Sequence, residues 1–133
     1  MFWRRTKEYG LSLAVYADVA VLRLEDRRYF SDSQRRFEMM LRSAAENSES
    51  GLVILDMGEA IQVTSGPLGA MRIRHQKLVD RGGRIVAAGG GEFAVKVLNF
   101  AAKLIDYYPT VEDALSGAGA SAAALEEYRR AQK

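Results

Sequence analysis

The sequence contains no cysteine and a single histidine among its 133 residues. Without cysteine there are no disulfides, no thiolate chemistry and no cysteine-based zinc sites. One histidine, His75, excludes a metal site built from several histidines. We therefore expect a protein that carries no metal and no other cofactor.

Long hydrophobic runs are missing as well. The apolar stretch LSLAVYADVAVLRL, residues 11–24, is interrupted by Asp18 and is too short to span a bilayer. The composition is 48% hydrophobic and 27% charged, which is typical of a globular chain and not of a disordered one. A cytoplasmic protein of one domain, with no membrane insertion, is expected.

Charge is distributed unevenly along the chain. Residues 1–64, 65–90 and 91–133 have net charges of −1, +4 and −1, which together give the formal charge of +2. The basic excess comes from Arg72, Arg74, Lys77, Arg81 and Arg84. Two interpretations remain open: a solvated helix face, or a surface that attracts an acidic partner. Nucleic-acid binding is disfavoured, because no aromatic residues are interleaved with these charges.

Hydrophobic periodicity predicts the secondary structure. Alternating or continuous apolar segments indicate strands over residues 11–16, 19–25, 52–57 and 84–89. Apolar residues at helical spacing indicate helices over residues 31–47, 67–79, 91–105 and 111–115. Because strands and helices alternate after residue 30, parallel pairing with right-handed crossovers is expected. The predicted fold is an α/β (α+β-like) domain, in which a mixed sheet of about four to five strands packs with about four helices.

The segment QVTSGPLGAM, residues 62–71, lies between a buried strand and a helix. In a βαβ unit, such a loop sits at the carboxyl end of the strand and the amino end of the helix. Unpaired amides and a partial positive charge favour an anion there. Thr64 and Ser65 place two hydroxyls in this loop, followed by Gly66 and Pro67. Helix capping accounts for one hydroxyl and leaves the other for modification or binding.

Two further polar residues occupy positions of interest. His75 lies on the apolar stripe of its helix without a second histidine or a cysteine, which favours a packed, hydrogen-bonded side chain over a catalytic one. Asp56 ends a buried strand beside the loop, where it either hydrogen-bonds loop amides or marks an exposed strand end. Ser65 has neither a G-x-S-x-G nor a Walker motif around it, so an enzyme is the least favoured class.

Three segments in this order, LVILDM, VTSGPLGAM and RGGRIVAAG, resemble the core of the STAS domain (sulfate transporter and anti-sigma factor antagonist). The segments VAVLRLE, AVKVLNF and TVEDAL resemble its early strand and its C-terminal helices. The resemblance covers residues 10–116 and implies a single STAS-type domain. Residues 1–9 are then a basic N-terminal segment, and residues 117–133 are a C-terminal tail.

The resemblance also implies a function. In anti-sigma factor antagonists of this family, an anti-sigma factor with serine kinase activity phosphorylates one serine. The unphosphorylated form binds that factor and frees the sigma factor, whereas the phosphorylated form is released. The acceptor corresponds to Ser65, or to Thr64 if the match shifts by one residue. The implied contacts with the partner come from Glu59, Thr64, Gly66, Pro67, Gly69 and Arg72.

This likeness predicts a regulator in a bacterial partner-switching pathway that controls transcription, and not an enzyme. An alternative keeps the fold without phosphorylation: an accessory or scaffold subunit, for example of a lipid-transport complex or a stress-sensing assembly. A homodimer is also left open.

Overall fold

The computed structural model describes residues 5–8, 10–101 and 105–132. The strands are β1 (Arg5–Glu8), β2 (Leu11–Tyr16), β3 (Val19–Leu24), β4 (Arg28–Tyr29), β5 (Leu52–Asp56), β6 (Gln62–Val63), β7 (Arg84–Ala88) and β8 (Asp106–Tyr108). The α-helices are α1 (Gln34–Asn47), α2 (Ser65–Val79), α3 (Gly91–Ala101), α4 (Val111–Gly117) and α5 (Ala122–Ala131). Of the helix predicted over residues 91–105, residues 102–104 lie outside the described residues. No helix in the described part of the chain combines the length and the apolar character needed to cross a membrane.

The main sheet has six strands in the order β1–β2–β3–β5–β7–β8. β1, β2 and β3 pair antiparallel, whereas β3, β5, β7 and β8 pair in parallel. The predicted α/β domain with a mixed sheet is confirmed. The sheet contains two strands that the sequence did not predict, β1 and β8. They were not predicted because RTKE is polar and DYY is only three residues long. β1 belongs to the predicted basic segment, whose residues 1–4 and 9 lie outside the described residues.

Strand β5 lies inside the sheet and is buried on both faces. Val53 and Leu55 belong to a core that α1, α2 and α3 cover, whereas Leu52 and Ile54 belong to a second core under α4 and α5. A strand that is buried on both faces has a continuous apolar sequence, and LVIL is such a sequence. The chain therefore leaves this buried layer at the carboxyl end of β5, where the loop to α2 begins.

Helix α5 lies within residues 117–133, the segment predicted to be a C-terminal tail. Its N-cap residue Ser121 accepts a hydrogen bond from the Ala124 amide at 3.2 Å and donates one to Asp18 Oδ1 at 2.6 Å. The Tyr128 ring packs edge-on against Tyr16 of β2, with ring centroids 5.3 Å apart. Sequence periodicity does not predict this helix, because its contacts with the sheet come from the small Ala124 and from the partly buried Leu125 and Tyr128, and not from a stripe of fully buried large apolar residues.

His75 joins α2 to β7. It is 8% exposed, and its Nδ1 accepts a hydrogen bond from the Ile85 amide at 3.1 Å. This geometry confirms the prediction of a packed, hydrogen-bonded histidine. Burial lowers the pKa of His75 below its usual 6.5, because desolvation penalises the charged imidazolium; Asp106 opposes this shift and Arg84 adds to it.

We expect the stability that His75 contributes to be lost as the pH falls. A protonated Nδ1 cannot accept the Ile85 hydrogen bond, and the unfolded chain takes up this proton near its usual pKa of about 6.5. The contribution is therefore complete above about pH 6.5 and disappears as the pH drops towards the lowered pKa of the folded state. Urea unfolding at about pH 7.5 and about pH 5.5 should show a larger loss for the wild type than for His75→Asn, whose Oδ1 stays an acceptor. Equal losses would contradict this role.

Glu127 of α5 is a buried acidic residue. The residue is 5% exposed, yet neither of its carboxylate oxygens has a hydrogen-bond partner. A buried polar group without a partner loses its hydration and gains no protein contact in return. The docking of α5 on the sheet is therefore weaker than its apolar contacts alone would make it.

Replacing this carboxylate by an apolar side chain of similar size should stabilise the protein. We expect Glu127→Met to raise the free energy of unfolding by about 1–3 kcal/mol, the usual cost of an unsatisfied buried polar group. The matched control is Glu126→Met, one residue away, where an exposed ion pair with Arg130 is removed. The control should change stability by less than about 0.5 kcal/mol. A loss of stability in Glu127→Met, measured by urea unfolding, would overturn this account.

Candidate functional site

A second, two-stranded sheet holds the loop between β5 and α2. β4 and β6 pair in parallel, with Tyr29 opposite Val63. The Thr64 amide continues this pairing by donating to the Tyr29 carbonyl at 3.0 Å. The first residue of α2, Ser65, is thereby placed beside the end of β4.

Tyr29 anchors this small sheet to the rest of the molecule. Its hydroxyl donates to the Gly10 carbonyl at 2.6 Å and accepts from the Asp26 amide at 2.7 Å, and its ring meets Phe37 edge-on. Burial is the main cause that raises the pKa of Tyr29 to about 12. Tyr29 is not predicted by the sequence pattern, because a two-residue strand shows no periodicity. The only available signal was an aromatic pair, Tyr29-Phe30, directly after charged residues.

Asp56 shapes the first turn of the loop. Its Oδ1 accepts a hydrogen bond from the Gly58 amide at 2.9 Å, and its Oδ2 lies 3.6 Å from Arg23 Nε. Burial raises the pKa of Asp56, although the Gly58 hydrogen bond and Arg23 oppose that shift. Of the two roles considered for this residue, hydrogen bonding to a loop amide is the one observed. Gly58 has φ +54°, and a Cβ there would lie 2.3 Å from the Leu24 carbonyl oxygen, so the turn requires glycine.

The two neighbouring hydroxyls occupy different environments. Thr64 is the N-cap residue of α2, but its side chain makes no capping hydrogen bond and its Oγ1 is buried without a partner. An N-cap oxygen normally accepts from the second or third helical amide. The third helical residue here is Pro67, which has no N–H. Ser65 is the first helical residue and is exposed, so the expectation that capping accounts for one of the hydroxyls is wrong.

The remaining predicted contact residues are divided between the surface and the core. Glu59 and Arg72 are exposed, whereas Pro67 is buried and faces the core. Ser65, Gly69 and Arg72 follow one another at helical spacing, which places them on one face of α2. A Cβ added at Gly69 would meet nothing within 4 Å, so packing within the chain does not require glycine at this position.

Exposed apolar side chains lie in the two segments next to Ser65, and exposed basic ones follow further along α2. Phe30, directly after β4, is 44% exposed, and Ile61, directly before β6, is 43% exposed. The first turn of α2 contains no acidic residue, whereas Arg72 and Lys77 are exposed further along the helix. Within the described ranges, no three histidine, aspartate or glutamate side chains come together as a metal site. The arrangement can therefore present a hydroxyl or a phosphate to another protein.

Comparison with known proteins identifies the fold. No protein-family model and no curated protein matches the sequence. The structure is similar to the NMR structure of the protein TM1081, with 14% identity, a TM-score of 0.67, and coverage of 87% of this chain and 92% of that one. It is also similar to the Bacillus cell fate determinant SpoIIAA in the phosphorylated form, with 14% identity, a TM-score of 0.59, and coverage of 89% and 100%.

A third similar structure is the anti-sigma factor antagonist SpoIIAA in its unphosphorylated form. The identity is 13% and the TM-score 0.57, over 88% of this chain and 96% of that one. These likenesses span nearly the whole length of both chains. The chain has the STAS fold of SpoIIAA, as the sequence segments predicted.

The absence of a capping bond at Thr64 has a measurable consequence. We expect Thr64→Val to leave the free energy of unfolding unchanged or to raise it, because a buried, unpaired hydroxyl is removed. The matched control is Thr110→Val at the start of α4, where Thr110 Oγ1 accepts from the Asp113 amide at 3.0 Å. Loss of that cap should cost about 1 kcal/mol. Equal losses for the two variants in urea unfolding would contradict the assignment.

Proposed function

We propose that the protein is a cytoplasmic anti-sigma factor antagonist that binds an anti-sigma factor with serine kinase activity and is regulated by phosphorylation at Ser65. The observation that carries this proposal is the contrast between two adjacent hydroxyls. Ser65 is exposed at the first residue of α2, whereas Thr64 Oγ1 is buried. A kinase that approaches this loop therefore meets Ser65 and not Thr64.

The position of Ser65 suits a phosphate. The first-turn amides of a helix have no intrahelical acceptor, and the helix dipole adds a partial positive charge at this end. α2 is 15 residues long and has no acidic residue in its first turn that would repel a phosphate. A phosphoserine adds about two negative charges at neutral pH. The added charge therefore need not change the fold, and we expect it to act on the affinity for the partner.

The surface around Ser65 suits a protein partner. Phe30 and Ile61 supply exposed apolar area, and Glu59 and Arg72 supply charge near it. Such a mixture of apolar contacts with a polar rim is typical of transient interfaces. The missing side chain of Gly69 leaves the helix surface flat one turn beyond Ser65, which allows a close approach by the partner.

The comparisons support the same type of switch. SpoIIAA has been solved both phosphorylated and unphosphorylated, and this chain is similar to both structures. In this protein no side chain hydrogen-bonds the Ser65 hydroxyl among the described residues, which favours an acceptor of phosphate over an activated nucleophile. The proposed activity is therefore binding, controlled by a covalent modification.

Incubation with the cognate anti-sigma factor and ATP tests the phosphorylation site. We expect a mass increase of one phosphate in the wild type and in Thr64→Val, and none in Ser65→Ala. Thr64→Val is the matched control, because it removes the neighbouring hydroxyl and keeps Ser65. If Ser65→Ala is phosphorylated and Thr64→Val is not, the acceptor is Thr64 and not Ser65.

The effect on binding is tested with the phosphate-like variant Ser65→Asp. Its carboxylate adds a charge that the interface must desolvate, so we expect the dissociation constant for the anti-sigma factor to rise at least about tenfold. Ser65→Ala should bind like the wild type. If no phosphate is transferred and the protein instead forms a stable complex with a transporter component, the accessory or scaffold role replaces the switch.

A further inference from the structure

A groove with a volume of about 740 Å³ runs between α1 and the C-terminal half of α2. It lies at the opposite end of α2 from Ser65. With a rise of about 1.5 Å per residue, Lys77 is about 18 Å from Ser65 along the helix axis. The groove therefore does not belong to the loop surface that surrounds Ser65.

The two walls of the groove carry opposite charges. The α1 side, including the turn after the helix, contributes Glu38, Glu46 and Glu49. The α2 side, including the turn after that helix, contributes Arg74, Lys77 and Arg81. Each wall has one residue of the other sign, so that the net charges are −2 on the α1 side and +2 on the α2 side.

These charges are not paired directly across the groove. Arg42 pairs with Glu46 on the same wall, with Nε and Oε1 3.3 Å apart, and Asp80 accepts a hydrogen bond from Gln76 on its own wall. No ion pair joins the α1 side to the α2 side among the described residues. The Nε of Arg74 is buried and has no hydrogen-bond partner.

Each helix also exposes a large apolar side chain next in sequence to a groove residue. Met39 follows Glu38 on α1, and Ile73 precedes Arg74 on α2; each is 56% exposed. They are the most exposed large hydrophobic residues in the described part of the chain. The helix pair thus presents apolar contacts beside an acidic wall and a basic wall.

We infer that this face binds a second copy of the same chain about a two-fold axis, with the acidic wall of each copy against the basic wall of the other. A two-fold interface uses the same patch on both subunits and must therefore be complementary to itself. A face with walls of −2 and +2 meets that requirement. An acidic partner would be repelled by the α1 side, and a basic partner by the α2 side. This inference does not depend on the proposed function, because Ser65 stays accessible in such a dimer.

Charge reversal with complementation tests the dimer. The first variant, Glu38→Lys/Glu49→Lys, makes the α1 side basic; the second, Lys77→Glu/Arg81→Glu, makes the α2 side acidic. In each variant alone, both contacts of the two-fold dimer place like charges together. We expect the wild type to dimerise in sedimentation equilibrium and each variant to dissociate at least about tenfold more readily. An equimolar mixture of the two variants should form a heterodimer, because both of its contacts are again between opposite charges.

The matched control is Arg35→Glu/Lys96→Glu, which changes the net charge as much as the second variant at exposed residues that do not line the groove. It should dimerise like the wild type, and circular dichroism should show that all variants are folded. A wild type that stays monomeric up to about 0.5 mM, or a dimer that the reversals leave unchanged, would overturn the inference. So would a mixture of the two variants that stays monomeric. The measurement uses no kinase. A negative result would therefore overturn the dimer and leave the proposed phosphorylation switch untouched.

Discussion

The burial of β5 on both faces is the constraint on which the rest of the structure depends. Val53 and Leu55 pack against the α1–α3 side, and Leu52 and Ile54 against the α4–α5 side. A strand with no polar face is stable only when helices cover both sides of the sheet, and parallel pairing with β3 and β7 supplies that arrangement. The loop after β5 and the helix α2 that follows it then have one available place, at the carboxyl edge of the sheet.

Polar anchors refine the position of that loop. Asp56 fixes its first turn through the Gly58 amide, and Tyr29 fixes its last part through the two-residue sheet of β4 and β6. The first contact is local, whereas the second joins segments that are far apart in the sequence. They leave the Thr64 hydroxyl inside and the Ser65 hydroxyl outside, which is the distinction on which the proposed switch depends.

Most of the framework was predictable from local patterns. Alternation of apolar residues in LSLAVY, the continuous run LVILDM and the helical stripes of α1 and α2 indicated the elements and the mixed sheet, because the spacing of apolar residues is a local property of the sequence. The alternation did not predict that β2 is buried on both faces. The prediction was incomplete where an element packs without a stripe of fully buried large apolar side chains. α5 packs through Ala124 and Tyr128, and β8 is three residues long, so neither produces a pattern that distinguishes it from a polar tail or a loop.

The sequence predicted which segment contains the candidate site, but not which of its two hydroxyl groups is exposed. The sequence by itself determined that two hydroxyls stand at the start of a helix after a buried strand, and that basic residues follow them, since these are properties of residue order and spacing. Only the tertiary structure decided which hydroxyl is exposed, because that depends on the pairing of the Thr64 amide with the Tyr29 carbonyl, which belongs to a distant segment. It also decided that acidic and basic residues from two helices face one groove, because that juxtaposition exists only after α1 and α2 have packed on the same face of the sheet.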